Sequence, residues 1–390
     1  MATTLYYTNI LTPVETIERG AVVVSDDGKI AYVGPMENAP QVEGKRIDLR
    51  GRYVAPGFID VHVHGGKGVS FLDYSKNVAE GLRAYSEWVV STGVTGYLCS
   101  IGGPDTQSLV QRVAAFADVI EAGVPGAEPL GLHLEGPYLS KEKKGAFNPA
   151  WLHTPSRDEV KEIIKAGRGT IRQLTLAPEL SEASEVASLC RTEGVVVSLG
   201  HTNTDYEAAC AALKGNYTHV THTFNAQRGF HHREPGVLGA ILTSDEVTAE
   251  LISDNVHVHP GAMKVLVRCL GTDRVVLITD AFVAAGMPDG EYESVGLKVT
   301  VKNGLSTLPD GTISSSTATL SQCVHNAHLS VGVPLLDAVK MASLNPARAM
   351  GFASRLGSIA VGKDASLVVI DDQVNVYLTM VKGQVVYSNL

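Results

Sequence analysis

At 390 residues the chain is too long for one small core, and its 44% hydrophobic content with 39 glycines describes a globular protein rich in tight turns, which excludes disorder. A net charge of −9 without a clustered basic segment argues against nucleic acid as the main partner, although a local pocket can still be positive enough for a small anion. The N-terminus has no basic stretch followed by an apolar core, and no apolar run approaches ~18 residues, so a cytoplasmic protein with no membrane partner is expected. The five cysteines (Cys99, Cys190, Cys210, Cys269 and Cys323) are scattered and lack a C-x-x-C pair, which reads as reduced and structural.

In chain order, the first 54 residues read as short strands at 5–10, 20–25 and 29–33, with a turn at Asp26-Asp27-Gly28. The central region then alternates strand and helix. Its first strand, Gly57-Phe-Ile-Asp-Val-His62-Val-His64-Gly65, is followed by a helix with Val78, Leu82, Tyr85, Trp88 and Val89 at helical spacing. Further strands are expected at 94–101, 129–136, 171–178, 195–201, 218–224, 247–253 and 274–280. Eight strands alternating with helices fit a (β/α)₈ TIM barrel, class α/β, better than an open sheet, and no Gly-rich dinucleotide fingerprint follows a strand. The tail returns to strands at 366–370, 377–381 and 384–387, the last two joined by a turn at Lys382-Gly383. Neither chain end can close a core alone, so residues 1–54 and 357–390 are expected to pair into a small β-sandwich domain, with the barrel, residues 55–356, inserted between them.

Alternation puts His62 and His64 on one face of the first strand, and Gly65-Gly66 turn the chain away without crowding them. Glu135 ends the third strand, His201 the fifth, His222 the sixth and Asp280 the eighth, so all six groups fall on the barrel's C-terminal rim, where active sites of this architecture lie. One such residue alone would more often be a satisfied rim histidine or a helix cap. Six together, ending otherwise apolar strands, are costly unless they bind something. Four imidazoles and two carboxylates can serve two divalent metals, with Glu135 central enough to bridge them and water activated between them as the nucleophile.

With these residues in view the chain resembles the amidohydrolase superfamily, whose metal-dependent barrels open with a His-x-His strand and end with a catalytic Asp. Strand 171–178 holds no Lys of the kind that bridges the metals in a common variant, so the resemblance narrows to the N-acetylglucosamine-6-phosphate deacetylases, which use a third-strand Glu. Matching segments run through nearly the whole chain, among them Pro56-Gly-Phe-Ile-Asp60, His133-Leu-Glu-Gly-Pro137, Gly200-His-Thr202, His231-His-Arg-Glu-Pro-Gly236 and Leu277-Ile-Thr-Asp-Ala281. The resemblance implies hydrolysis of N-acetyl-D-glucosamine 6-phosphate to D-glucosamine 6-phosphate and acetate in amino-sugar catabolism. The galactosamine epimer or another N-acyl amino sugar is the alternative substrate, and a barrel that binds without catalysing is a weaker one, having no reason to keep all six rim residues.

The resemblance also implies roles. Glu135, His201 and His222 hold one metal, and His62 and His64 hold a second, giving two ions per chain of zinc, iron, manganese or cobalt. Asp280 contacts metal or its water and serves as general base and then acid. Ala146, Asn225, Ala226, Arg233 and His257 are the substrate-binding positions, with His257 near the reacting amide and Asn225, Ala226 and Arg233 at the phosphate. Arg233 offers a planar fork of donors to phosphate oxygens, with His231 and His232 beside it, and its long loop can reach a neighbouring barrel in a homodimer. Two departures stand out. Phe147 occupies a position where many members have a polar His or Gln facing the sugar, and Ser314-Ser315-Ser316 stands where an Ala-Gly-Ser motif usually lies beside the acyl group.

Overall fold

The computed structural model describes residues 2–73, 77–294 and 296–390. Eight strands, β1 (Phe58–Val63), β2 (Val94–Ile101), β3 (Glu128–Glu135), β4 (Ile171–Leu176), β5 (Val196–Leu199), β6 (Tyr217–Val220), β7 (Thr248–Ile252) and β8 (Val275–Ile278), pair in parallel in sequence order. Being covered on both faces, they read as nearly continuous apolar runs, and β1, β2 and β8 are buried at every position. The sheet curves until β8 meets β1, where Asp280 N–H donates to His62 O (2.9 Å) and His64 N–H to Ala281 O (2.7 Å). Helices fill the crossovers and begin where their caps dictate: the side chains of Asn77, Asp105, Ser156 and Asp205 each accept a backbone N–H of the following first turn.

The barrel interior changes character along its axis. Ile59, Leu98, Leu130 and Val276 pack with Ala347, Met350, Phe352 and Leu356 in an apolar cluster. Nearer the strands' C-terminal ends the inward positions are polar, and a fully buried chain of hydrogen bonds runs from Ser100 to His133 (2.9 Å), Thr175 (2.8 Å), Thr221 (2.8 Å) and Ser198 (2.6 Å). Such a network persists only when its members are satisfied, so it forms a rigid floor under whatever the rim holds.

The two chain ends hydrogen-bond into one continuous sheet, in the order Gln384–Ser388, Val376–Val381, Leu367–Ile370, Tyr53–Pro56, Ala2–Leu11, Thr16–Val24, Ile30–Pro35, with Gly44–Asp48 parallel to Ala2–Leu11. The ends meet in the antiparallel pair of Tyr53–Pro56 and Leu367–Ile370, register Val54 to Val369, and the sheet has its own core of Leu5, Val22, Val54, Leu367 and Met380 among others.

The structure departs from the expected elements in several places, among them the strands Gly44–Asp48 and Tyr53–Pro56, which were not expected. Strands expected to run through His201, His222 and Asp280 stop two residues earlier, because these three leave extended geometry with φ of 46°, 25° and 50°. Beyond β8 an antiparallel three-stranded sheet (Gly290–Ser294, Leu297–Lys302, Leu305–Thr307) occupies a stretch where no element was expected. Its signal was present, since Leu297, Val299 and Val301 alternate with Lys298, Thr300 and Lys302.

Candidate metal centre and its cavity

All six rim groups converge, and all are at least nine-tenths buried. Glu135 lies between them with its oxygens divided. Oε2 is 2.9 Å from His64 Nε2 and 3.2 Å from His62 Nε2, while Oε1 is 3.2 Å from His201 Nε2 and 3.1 Å from His222 Nε2. Asp280 Oδ1 completes the first half, 3.4 Å from His62 Nε2 and 3.3 Å from His64 Nε2. Two sets of side chains that could hold an ion result, His62 with His64, Glu135 and Asp280, and Glu135 with His201 and His222.

The donor chemistry fits divalent cations. His201 and His222 bring their Nε2 atoms to 3.0 Å, a separation typical of neighbouring ligands on one ion. Three of the four imidazoles have their far nitrogen against an acceptor: His62 Nδ1 lies 2.9 Å from Glu250 Oε2, His64 Nδ1 3.1 Å from Ser100 O, and His201 Nδ1 2.7 Å from Lys143 O. A carbonyl or carboxylate oxygen can only accept, so Nδ1 carries a proton, and an incoming cation would displace only the second proton, the one on Nε2.

Electrostatics point the same way. Burial works to lower the His64 pKa, but hydrogen bonds to Asp280 and Glu135 outweigh it and raise the group to about 9. Burial likewise works to raise Asp280, and the neighbouring His62 and His64 outweigh it, holding the carboxyl below its ordinary value. A site that concentrates this much negative potential attracts a cation.

The same three residues that end their strands early turn the chain at the centre. A left-handed turn at a non-glycine residue costs on the order of 1–3 kcal/mol and persists only where its surroundings impose it. Here Asp280 is held through its N–H to His62 O and its carbonyl from Ser316 N–H (2.9 Å), and His201 through its carbonyl from Ser140 N–H (2.9 Å).

The centre opens into a cavity of about 300 Å³ lined by His64, Glu135, His201, His222 and Asp280. Of the other residues expected at the substrate, Ala146, Asn225, Ala226 and His257 line it too. His257 is fixed by Asp254, whose Oδ2 lies 2.7 Å from Nδ1 and whose Oδ1 accepts the His257 N–H at 2.8 Å. Burial works to lower the His257 pKa and the Asp254 hydrogen bond outweighs it, raising the group, while Nε2 has no hydrogen-bond partner. Phe147 lines the cavity with its ring edge-on to His201 at 5.4 Å, and Ser314 and Ser315 line it as well. The unforeseen sheet contributes Leu297 and Val299 to the apolar wall.

Arg233 is not brought in. It is exposed, does not line this cavity, and places Nη1 2.8 Å from the Nε2 of its neighbour His232. Sequence reasoning missed Glu250, which lies beneath the centre against His62. The signal was a lone acidic residue inside the apolar strand Thr248–Ile252. It also missed Asp60, a buried carboxyl that accepts from Thr279 Oγ1 at 2.6 Å and that burial pushes up to about 7.

The amidohydrolase family model matches residues 53–386. The chain is 36% identical over 367 residues to the N-acetylglucosamine-6-phosphate deacetylase of Vibrio furnissii, covering 94% of this chain and 90% of that one. It is also 36% identical over 358 residues to the N-acetylgalactosamine-6-phosphate deacetylase of Escherichia coli O157:H7, covering 92% of each. Among solved structures, a mutant N-acetyl-D-glucosamine-6-phosphate deacetylase of Mycobacterium smegmatis in complex with N-acetyl-D-glucosamine 6-phosphate superposes with a TM-score of 0.91 at 33% identity, covering 100% of this chain and 99% of that one.

Proposed function

The chain belongs to the amidohydrolase family, and from that premise we propose that it hydrolyses N-acetyl-D-glucosamine 6-phosphate to D-glucosamine 6-phosphate and acetate. The observation that carries this reading is the division of Glu135's two oxygens between two pairs of imidazoles at the mouth of a cavity that His257, Asn225 and Ala226 also line.

Two divalent ions per chain are assigned to the two halves, His62, His64 and Asp280 on one and His201 and His222 on the other, with Glu135 shared. Bound there, such ions polarise the acetamide carbonyl and make water acidic enough to attack it. Imidazole and carboxylate ligands suit zinc, iron, manganese or cobalt. Asp280, ionised at neutral pH, accepts a proton from the attacking water. As the water oxygen bonds to the acyl carbon and the C–N bond breaks, that proton passes to the departing sugar amine. His257, held through Nδ1 by Asp254, presents Nε2 to the bound sugar or its amide.

The phosphate requires a second chain in this reading. No Lys or Arg lines the cavity among the described residues, whereas Arg233 stands exposed beside exposed His231, His232 and Phe230. We assign Arg233 to the phosphate of a neighbouring subunit's substrate in a homodimer. No helix among the described residues is long and apolar enough to cross a membrane.

The test is acetate release from the 6-phosphates of N-acetylglucosamine and N-acetylgalactosamine, and from the unphosphorylated sugars, by protein reconstituted with each metal in turn. Fastest turnover of the glucosamine 6-phosphate is the expected result. Preference for the galactosamine epimer would transfer the assignment to that substrate, and no release from any of them would overturn it.

A further inference from the structure

Glu250 lies outside the six-residue ligand set, and its carboxylate is completely buried in the barrel. A buried carboxylate is tolerated only when its acceptor positions are filled, and here four neighbours fill them. Oε1 accepts from Gln173 Nε2 at 2.8 Å and lies 3.2 Å from His219 Nε2. Oε2 accepts the backbone N–H of His222 at 3.0 Å and lies 2.9 Å from His62 Nδ1. The Oε2 contacts thus reach one residue from each half of the centre, the side chain of His62 and the backbone of His222. The latter is the residue whose φ of 25° turns the chain out of β6.

We propose that Glu250 is a positioning residue that holds both halves of the metal centre at once. Accepting from His62 Nδ1–H, it selects the tautomer that presents Nε2 to an ion. Accepting from His222 N–H, it holds the left-handed turn that sets the direction of the His222 ring. Gln173 and His219 fix the carboxylate in the plane that serves both, and His219 is itself braced by Thr248 Oγ1 at 2.6 Å. Single-point support of this kind couples the halves, so that loss of Glu250 weakens both ions, whereas loss of a ligand to one half weakens mainly that one. The inference rests on reading the site as a metal centre and is independent of the substrate assigned to it.

The experiment compares the full-length parent, Glu250→Ala and Glu250→Gln. Each is stripped with a chelator and titrated with Zn²⁺ alone against a chromophoric competitor, with metal per chain measured by elemental analysis and Tm recorded for the stripped protein. Glu250→Ala is expected to weaken both ions by roughly 10- to 100-fold, the usual effect of removing a partner behind a metal ligand. Glu250→Gln is expected to keep most of the affinity, losing less than about tenfold, because its amide oxygen can still accept from His62 and His222. Its NH₂ would then meet Gln173, whose partnerless Oε1 can turn to receive it. Parent-like zinc affinity in Glu250→Ala, or a loss confined to one ion, would overturn the proposal. A lowered Tm of the stripped protein with unchanged zinc affinity would also overturn it, reducing Glu250 to a purely structural group. Should Glu250→Ala fail to fold, Glu250→Asp carries the test, since the shortened carboxylate cannot span both partners and is expected to weaken both ions. Parent-like affinity there would count against the proposal. A parent that takes up no zinc at all would instead bring down the metal-centre reading itself, which separates the two failures.

Discussion

Glu135 differs from the other five rim groups in serving two sets of partners through two oxygens, so its neighbours on either side can be removed separately. Replacing both His62 and His64 by Ala should lower metal content by about one ion per chain, because the set of Glu135, His201 and His222 remains complete. Elemental analysis of the double variant decides it, and parent-level content would remove His62 and His64 from the ligand set. Asp280 differs in kind, since its expected work is to carry a proton. Asp280→Asn keeps the shape but not the base, and should slow turnover ~10²-fold or more while substrate still binds. Because Asp280 is also within reach of an ion, kcat is to be read only at measured full occupancy, and near-parent turnover there would exclude Asp280 from proton transfer.

Two elements beyond the strands border the cavity. The sheet of Gly290–Ser294, Leu297–Lys302 and Leu305–Thr307 turns an apolar face, Leu297 and Val299, toward a cavity whose floor is ionic, and so supplies walls rather than ligands. The loop after β6 does the opposite. It leaves the centre at His222, passes Asn225 and Ala226 in the cavity, and carries Arg233 out to solvent on a tight turn where His231 and Glu234 exchange backbone hydrogen bonds. An Arg to phosphate contact contributes ~1.5–3 kcal/mol, so Arg233→Ala should reduce kcat/KM for the 6-phosphate by roughly ten- to a hundredfold and leave the unphosphorylated sugar nearly unchanged. Equal losses on both substrates would mean that the loop, and not the phosphate contact, had failed. Mixing Arg233→Ala chains with Asp280→Asn chains should restore activity through hybrid dimers. No recovery after demonstrated subunit exchange would count against a site shared between two chains.

At the scale of the molecule, one ion cluster ties the terminal sheet to the barrel. Asp364 pairs with Lys29 and with Arg355 (2.9 Å), and Arg355 grips Glu128 at the start of β3 through two hydrogen bonds of 2.9 Å. Burial works to raise the Asp364 carboxyl, and Lys29 and Arg355 outweigh it, so its folded pKa lies below the ordinary 3.8. A depressed carboxyl contributes stability that is fully present above its unfolded pKa and is lost as pH falls through the folded one. Asp364→Asn should therefore lower stability by about 1 kcal/mol near neutral pH, a modest figure because Lys29 and Arg355 are partly exposed to screening solvent. The Tm difference from the parent should shrink as the pH drops below 3.8. A difference that persists undiminished in acid would show that packing, and not the ion pairs, was lost.

Most of the barrel was legible in the sequence because strand and helix periodicities are local: β1 announces itself by alternation, and His62 and His64 share a face whatever surrounds them. The rim position of Glu135, His201, His222 and Asp280 was legible for the same reason, each ending an apolar run. Where those runs end was not, because the left-handed turns at His201, His222 and Asp280 are imposed by neighbouring segments against local preference. Nor could the chain's linear order show which oxygen of Glu135 serves which imidazole, since its partners lie 66 to 87 residues away and are set at hydrogen-bonding distance by the register of four strands. Glu250 is the extreme case. In sequence it is one acidic residue in an apolar strand, and it acquires meaning only because closing the barrel brings His62, 188 residues distant, within 2.9 Å of it. Periodicity along the chain determined the scaffold and the kinds of side chain on its rim, whereas the pairing of those side chains depends on curvature and register, which no local pattern encodes.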